Sequence, residues 1–92
     1  MGVLTSIFGS TIRVKVIEYF LENPNSMIYL TELARALGVS HSSISRVIQP
    51  LIDMNKISEF QLANRLRFFK LNMNSDIAKF LLNFYKTLNK KE

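Results

Sequence analysis

The sequence predicts a single α+β domain that spans residues 1–92, and three observations indicate it. Apolar residues recur at helical spacing in two segments between residues 31 and 55, joined by a Gly-Val-Ser turn. Two runs of strand-favouring residues follow within residues 57–71. A last helical pattern occupies residues 75–89. Ninety-two residues, 48% of them hydrophobic, suffice for one modest core and leave no room for a second domain.

The composition favours a polyanionic partner. Twelve Lys and Arg residues against seven Asp and Glu give a net charge of +5, which favours binding to nucleic acid. The sequence has no cysteine, which excludes disulfides, thiolate metal sites and thiol redox sensing and indicates a cytoplasmic protein. No apolar run approaches the roughly 18 residues of a membrane span, so no membrane partner is expected.

The N-terminal part is expected to supply one helix. Residues 1–9 are an apolar lead-in whose first residues should fray. Ser10 is the predicted N-cap of a helix over about residues 11–21, which ends before an Asn-Pro-Asn turn signal. The apolar residues of this helix make two patches, which one small domain rarely covers. Either the helix is fully central or its second patch meets another subunit, and the sequence favours neither; that patch comprises Val14, Ile17 and Leu21.

The segment 31–55 is predicted to be a helix-turn-helix. Residues 27–30 should form a short edge strand before it, and Thr31 should cap its first helix. Gly38 suits the left-handed residue that ends this helix, and Ser40 suits the N-cap of the second. Pro50 predicts a bend in the second helix and not its end. The buried stripe of the second helix comprises Ile44, Val47, Ile48 and Leu51.

The other face of the second helix is polar and therefore exposed. Arg46, Gln49 and Asp53 share this face at about 100° per residue. Short polar groups together with an arginine and a glutamine are what a helix needs to hydrogen-bond base edges in a major groove. The predicted DNA contacts on this helix are His41, Ser42, Ser43, Ser45, Arg46 and Gln49.

Residues 57–71 are predicted to be a β-hairpin whose tip carries Arg65 and Arg67. Arginines on a hairpin arm suit phosphates or a narrow minor groove, so both residues are predicted DNA contacts. Apolar side chains of the hairpin fit a sheet that packs on helices better than an RNA-stacking platform. The residues expected in the core are Phe60, Leu62, Phe69 and Leu71.

The last helix is predicted to begin after the N-cap Ser75, with Asp76 in its first turn. It either covers the core or joins two subunits, and its apolar area, together with that of the first helix, favours dimerisation. The apolar residues that repeat along it are Ile77, Phe80, Leu81, Phe84, Tyr85 and Leu88.

The run YLTELARALGVSHSSISRVIQPL, followed by a hairpin and a helix, resembles the winged helix-turn-helix transcription regulators of archaea and bacteria, of the arsenical-repressor-like and multiple-antibiotic-resistance-regulator-like group. The resemblance covers about residues 7–88. It implies a prokaryotic DNA-binding regulator in which the C-terminal helix often joins two subunits. Together with the apolar area of the first helix, this predicts a homodimer joined through the first and last helices. Metal-binding relatives in this group use Cys, His or carboxylate clusters that this sequence lacks, so we expect no metal and no other cofactor.

The sequence also lacks the groups that catalysis requires. One histidine, no cysteine and no paired carboxylates leave no set of nucleophile, acid and base, so no enzyme is expected. The predicted function is sequence-specific binding of double-stranded DNA by a homodimeric transcriptional regulator. Two alternatives stay open: a plasmid-partition or architectural protein that spreads along DNA, and a winged-helix module that binds another protein.

Overall fold

The computed structural model describes residues 2–62 and 66–90, and within them five helices accompany one three-stranded sheet. The elements in chain order are α1 (Val3–Phe8), α2 (Ile12–Glu22), β1 (Ile28–Tyr29), α3 (Leu30–Leu37), α4 (His41–Asp53), β2 (Ile57–Leu62), β3 (Leu66–Leu71) and α5 (Asp76–Lys90). Helices α3 and α4 form the predicted helix-turn-helix, and β2 and β3 form the predicted hairpin. The architecture is the α+β winged helix-turn-helix, which confirms the expected fold.

The sheet is antiparallel in the order β1-β3-β2, so β1 is an edge strand as predicted. Phe60 pairs with Phe68, and Glu59 pairs with Phe69. The buried side chains of Phe69 and Leu71 therefore face the helices, whereas Phe60 lies on the outer face and is 45% exposed. The prediction that Phe60 belongs to the core is wrong because the register places it on the other side of the pleat. The side chain of Leu62 lies outside the described part of the chain.

Helix α2 lies at the centre of the domain. Val16 and Phe20 are buried, and in the second patch Leu21 is buried while Val14 and Ile17 pack against the core from partly buried positions. Helices α1, α3, α4 and α5 all contact α2 and together cover both of its apolar patches. Of the two alternatives left open by the sequence, the central helix is the one observed. The exposed apolar residues of the N-terminal region are instead Ile7 and Phe8 of α1.

Residues 3–8 form a helix and not the fraying lead-in that was expected. The buried carboxylate of Glu18 accepts hydrogen bonds from the amides of Leu4 and Thr5, at 3.0 and 2.9 Å, and from the Thr5 hydroxyl at 2.6 Å. These donors lie in the first turn of α1, where backbone amides have no partner within the helix. A Cβ atom at Gly2 would overlap the same carboxylate, so any other residue there would displace Glu18 from its position. Glu18 thus caps α1 from the neighbouring helix.

Burial of the Glu18 carboxylate raises its pKa, but the hydrogen bonds from Thr5, Leu4 and Tyr85 together lower it by more. The pKa in the folded chain therefore lies below the ordinary value of 4.5. A carboxyl group whose pKa falls on folding stabilises the fold while it is ionised in both states. This stabilisation is present above pH 4.5 and is lost as the pH falls through the lower folded pKa.

We expect Glu18→Gln to lower the free energy of unfolding at pH 7 by about 1–3 kcal/mol, because the amide that replaces one oxygen opposes a buried N–H donor. Urea unfolding of both proteins at pH 7 and pH 3 measures this. The difference between them should be smaller at pH 3 than at pH 7, because the wild-type carboxylate loses charge as the pH falls towards its lowered pKa. Glu22→Gln, an exposed change one turn further along α2, is the control. An equal loss at both pH values would contradict the charged cap.

The helix ends agree with the sequence at three positions and differ at two. The hydroxyls of Ser40 and Ser75 accept from Ser43 and Ala78 amides, and Gly38 is left-handed with φ 67°. Thr11, and not Ser10, caps α2 through a 3.3 Å bond from the Val14 amide. Helix α3 begins at Leu30 with Tyr29 as its N-cap, two residues earlier than the predicted N-cap Thr31 would place it, and no side chain caps it. Helix α2 therefore begins one residue later than predicted, and α3 begins two residues earlier.

Candidate nucleic-acid interface

Helix α4 presents one polar face because its other face is anchored in the core. Ile44, Ile48 and Leu51 are buried, and Val47 is half-buried beside them. The helix passes through Pro50 without ending, as predicted. The left-handed Gly38 and the cap at Ser40 fix where α4 begins relative to α3. The polar side of the helix is therefore held in place by the packing of the apolar side.

Four of the predicted contacts on α4 are exposed and two are half-buried. His41, Ser42, Arg46 and Gln49 are exposed along the polar face. Ser43 is half-buried and belongs to the cap, since its amide donates to the Ser40 hydroxyl at 3.2 Å and its own hydroxyl lies 2.9 Å from the same oxygen. All six predicted side chains thus lie on α4, and Ser43 also takes part in the N-terminal cap of this helix.

Gln49 and Arg46 on this face differ in whether their side chains are bound to another residue of the chain. The Gln49 side chain donates from Nε2 to the Asp53 carboxylate at 3.0 Å, which restrains its amide but leaves the amide oxygen and a second N–H. No carboxylate of the described residues forms an ion pair with Arg46, whose guanidinium therefore keeps its full donor set. Arg46 is the cation of α4 best placed to meet an external acceptor.

The wing meets α4 through Arg67. Its Nε donates to the Glu59 carboxylate at 2.6 Å, its Nη1 lies 3.5 Å from the Ser45 hydroxyl, and its guanidinium lies over the Phe69 ring at 5.3 Å. The side chain is directed back towards α4 and not outward from the end of the hairpin. The DNA contact predicted for Arg67 stays a prediction. Arg65 lies outside the described residues.

The DNA-binding surface predicted from the sequence does not include α3, the first helix of the helix-turn-helix. Thr31 and Arg35 of α3, which are both exposed, line one open groove with Ser40 and His41 across the turn. The first helix of such a pair crosses the nucleic-acid backbone, where a hydroxyl and a guanidinium can bind phosphate. The spacing of four residues between Thr31 and Arg35 was the available signal, since it places both on one side of a helix.

Two kinds of site are not formed by the described residues. Within residues 2–62 and 66–90, no group of three or more His, Asp or Glu side chains is arranged to hold a metal ion. In the same part of the chain, no helix combines the length and apolar character that crossing a bilayer requires.

Comparison with known sequences gives one match. Residues 13–55 match the model of the IclR helix-turn-helix domain, and this segment contains α2, β1, α3 and α4. No curated protein matches this chain in sequence. The matched segment supports the helix-turn-helix itself and does not select the subgroup that the resemblance had named.

Solved structures with the same fold are regulators of low sequence identity. Reduced HlyU from Vibrio cholerae is 20% identical over 94% of this chain and 84% of its own length, with a TM-score of 0.68. The adhesin competence repressor AdcR from Streptococcus pyogenes is 16% identical over 84% of this chain, with a TM-score of 0.66. The iron-bound ferric uptake regulator from Francisella tularensis is 18% identical over 71% of this chain, with a TM-score of 0.61.

This chain spans 57% of the length of AdcR and 53% of the ferric uptake regulator. What the matches share with it is therefore the winged helix-turn-helix domain that such transcriptional regulators contain. The sequence match is to a helix-turn-helix domain, and the structural matches share the winged helix-turn-helix fold.

Proposed function

We propose that this chain is a sequence-specific regulator that binds double-stranded DNA as a homodimer and acts in the cytoplasm. The observation that carries the proposal is the exposed polar face of α4, where Arg46 has no internal ion pair among the described residues. The face has the composition that major-groove recognition uses, and the net charge of +5 favours the phosphate backbone.

In this proposal each residue has a stated role. Arg46 pairs with guanine and Gln49 with adenine, in the bidentate geometry that these side chains allow. His41, Ser42, Ser43 and Ser45 bind neighbouring base edges or phosphates. Arg65 adds a phosphate or minor-groove contact from the wing, and Thr31 and Arg35 bind the backbone beside α3.

The surface of α5 supports the second half of the proposal. Ala78, Leu82 and Tyr85 pack on the body, but three large apolar residues one turn apart on an adjacent stripe do not. Ile77, Phe80 and Phe84 are 54%, 68% and 38% exposed. The apolar arc of α5 is thus wider than the body of one chain covers, and a second copy of α5 is the partner that matches it.

Helix α1 extends this surface. It contacts α5, and its residues Ile7 and Phe8 are 54% and 59% exposed. The cap that Glu18 provides holds α1 beside α5, so the two helices that carry the exposed apolar residues are neighbours in one chain. The homodimer therefore uses α1 and α5, and the central α2 has no direct part in it.

Footprinting on DNA upstream of this protein's own gene tests the proposal, over a protein titration and at two salt concentrations. A dimer should protect a bounded inverted repeat, because its two α4 helices meet successive major grooves about 34 Å apart. Protection that spreads from the first site would favour the partition or architectural role. No protection at either salt concentration would favour a protein-binding module.

A further inference from the structure

Arg67 makes the only side-chain hydrogen bond that the described residues show between the wing and α4, beside the apolar packing of Ile57 on Leu51. Its partner Glu59 stands on the adjacent strand, diagonal to it by register, since Gln61 pairs with Arg67 and Glu59 with Phe69. These residues share the sheet face that packs on the helices. The ion pair therefore lies between the hairpin and α4, and not on the outer face of the wing.

The position of the guanidinium is set from three sides. The Glu59 carboxylate accepts a 2.6 Å hydrogen bond from Nε, and the Ser45 hydroxyl accepts one of 3.5 Å from Nη1. The Phe69 ring lies beneath the guanidinium. The Arg67 and Glu59 side chains are only 29% and 28% exposed, so water competes for the pair from one side. To reach a phosphate, Arg67 would have to leave all three groups.

We infer that Arg67 is a positioning residue, which fixes the wing against the DNA-facing side of α4 and does not itself bind DNA. This inference rests on the proposed function, since positioning matters only if the wing and α4 bind one duplex. Ser45 belongs to the face of α4 that carries Arg46 and Gln49. The link from Glu59 through Arg67 to Ser45 therefore sets the distance between the hairpin and that face. Glu59 is as necessary to the link as Arg67.

The two roles for Arg67 predict opposite effects of Glu59. A carboxylate beside a DNA-binding surface repels phosphate, so removing it normally tightens binding. If Arg67 contacts DNA, Glu59→Gln also frees its guanidinium and tightens binding further. If Arg67 positions the wing, Glu59→Gln releases the wing and weakens binding despite the loss of a negative charge. The sign of the Glu59→Gln effect thus separates the roles.

The experiment measures DNA affinity by fluorescence anisotropy over a salt series for wild type, Arg67→Gln, Glu59→Gln and the double variant. Lys70→Gln is the matched control, as it removes a cation from the same strand on the outer face of the sheet. We expect both single variants to weaken binding on the order of 3- to 30-fold. We also expect the double variant to be no weaker than either, because the two residues act as one unit.

The salt dependence gives a second readout. Arg67→Gln and Glu59→Gln both release the wing, so the slope of log affinity against log salt should be the same in the two variants, whereas a phosphate contact made by Arg67 itself would lower the slope by about 0.9 in Arg67→Gln alone. Glu59→Gln that binds as tightly as wild type or more tightly, or a slope lowered only in Arg67→Gln, would overturn the inference.

A third readout needs no DNA. Amide hydrogen exchange in β2 and β3 should be faster in both single variants than in wild type and Lys70→Gln, since the hairpin loses its tie to α4. Unchanged exchange would overturn the inference even if DNA affinity fell. If wild type bound no DNA at all, the proposed function would fail, and the exchange data would still report whether the pair holds the wing.

Discussion

Replacing Arg46 with alanine lowers affinity for the protein's own DNA site by roughly 5- to 150-fold, the equivalent of the about 1–3 kcal/mol that a bidentate arginine–guanine pair contributes. The effect is large because Arg46 is exposed and its guanidinium forms no ion pair with the described residues. Its donors are therefore available at little cost. The variant should also lose preference for the contacted guanine, so that wild-type and substituted sites bind it alike. Competition binding with both sites measures the two effects together.

Lys79→Ala is the control for this experiment, because it removes an exposed cation from α5. It should leave the preference among sites unchanged. If Arg46→Ala kept both affinity and preference, α4 would not be the recognition helix of this protein. If affinity fell while preference stayed, Arg46 would be a phosphate contact, and the salt slope should then drop by about 0.9.

The sequence was sufficient for the recognition face because its signals are local. Ile44, Ile48 and Leu51 repeat at helical spacing, so the side opposite them had to be exposed. The cap at Ser40 and the left-handed Gly38 likewise depend on residues within one turn. Where the determinants of a structure lie within about four residues, single-sequence reasoning recovers it.

Features that depend on distant residues were missed. Glu18, 13 to 14 residues away, caps the first turn of α1. The residues of the segment 1–9 give no signal from which this distant cap could be predicted. The core placement of Phe60 failed for a related reason. Its face depends on the register of β2 against β3, and a one-residue shift in register exchanges the two faces. The partner of Arg67 depends on the same register.

The central place of α2 also needed three-dimensional information. Its wide apolar surface was compatible with a subunit contact or with burial from all sides. Burial occurs because α1 and α5 pack on the side that α3 and α4 leave open. The excess apolar area that suggested a dimer is therefore absent from α2 but present on the last helix, α5, as predicted. Ile7 and Phe8 of α1, which were not assigned to this area from the sequence, extend it.

If the chain is the proposed homodimer, replacing Phe80 with glutamate should convert it to a folded monomer. Phe80 is 68% exposed in the single chain, so the change costs the monomer little stability. In a two-fold dimer each residue occurs twice, and burying a phenylalanine contributes about 1.5–3 kcal/mol. The variant should thus weaken dimerisation by about 3–6 kcal/mol, on the order of 10²- to 10⁴-fold, before charge repulsion is counted. Sedimentation over a concentration series measures the constant, and circular dichroism confirms the fold.

Asn83→Glu supplies the matched control, since it introduces the same charge on the polar side of the same helix. It should leave the dimerisation constant within a few-fold of wild type. The monomeric Phe80→Glu protein should still recognise a half-site through α4, but it should lose the affinity gained when two half-sites about 34 Å apart are bound at once. A Phe80→Glu protein as dimeric as wild type would place the interface elsewhere. Retained full-site affinity in a proven monomer would show that recognition by this domain does not depend on two-fold symmetry.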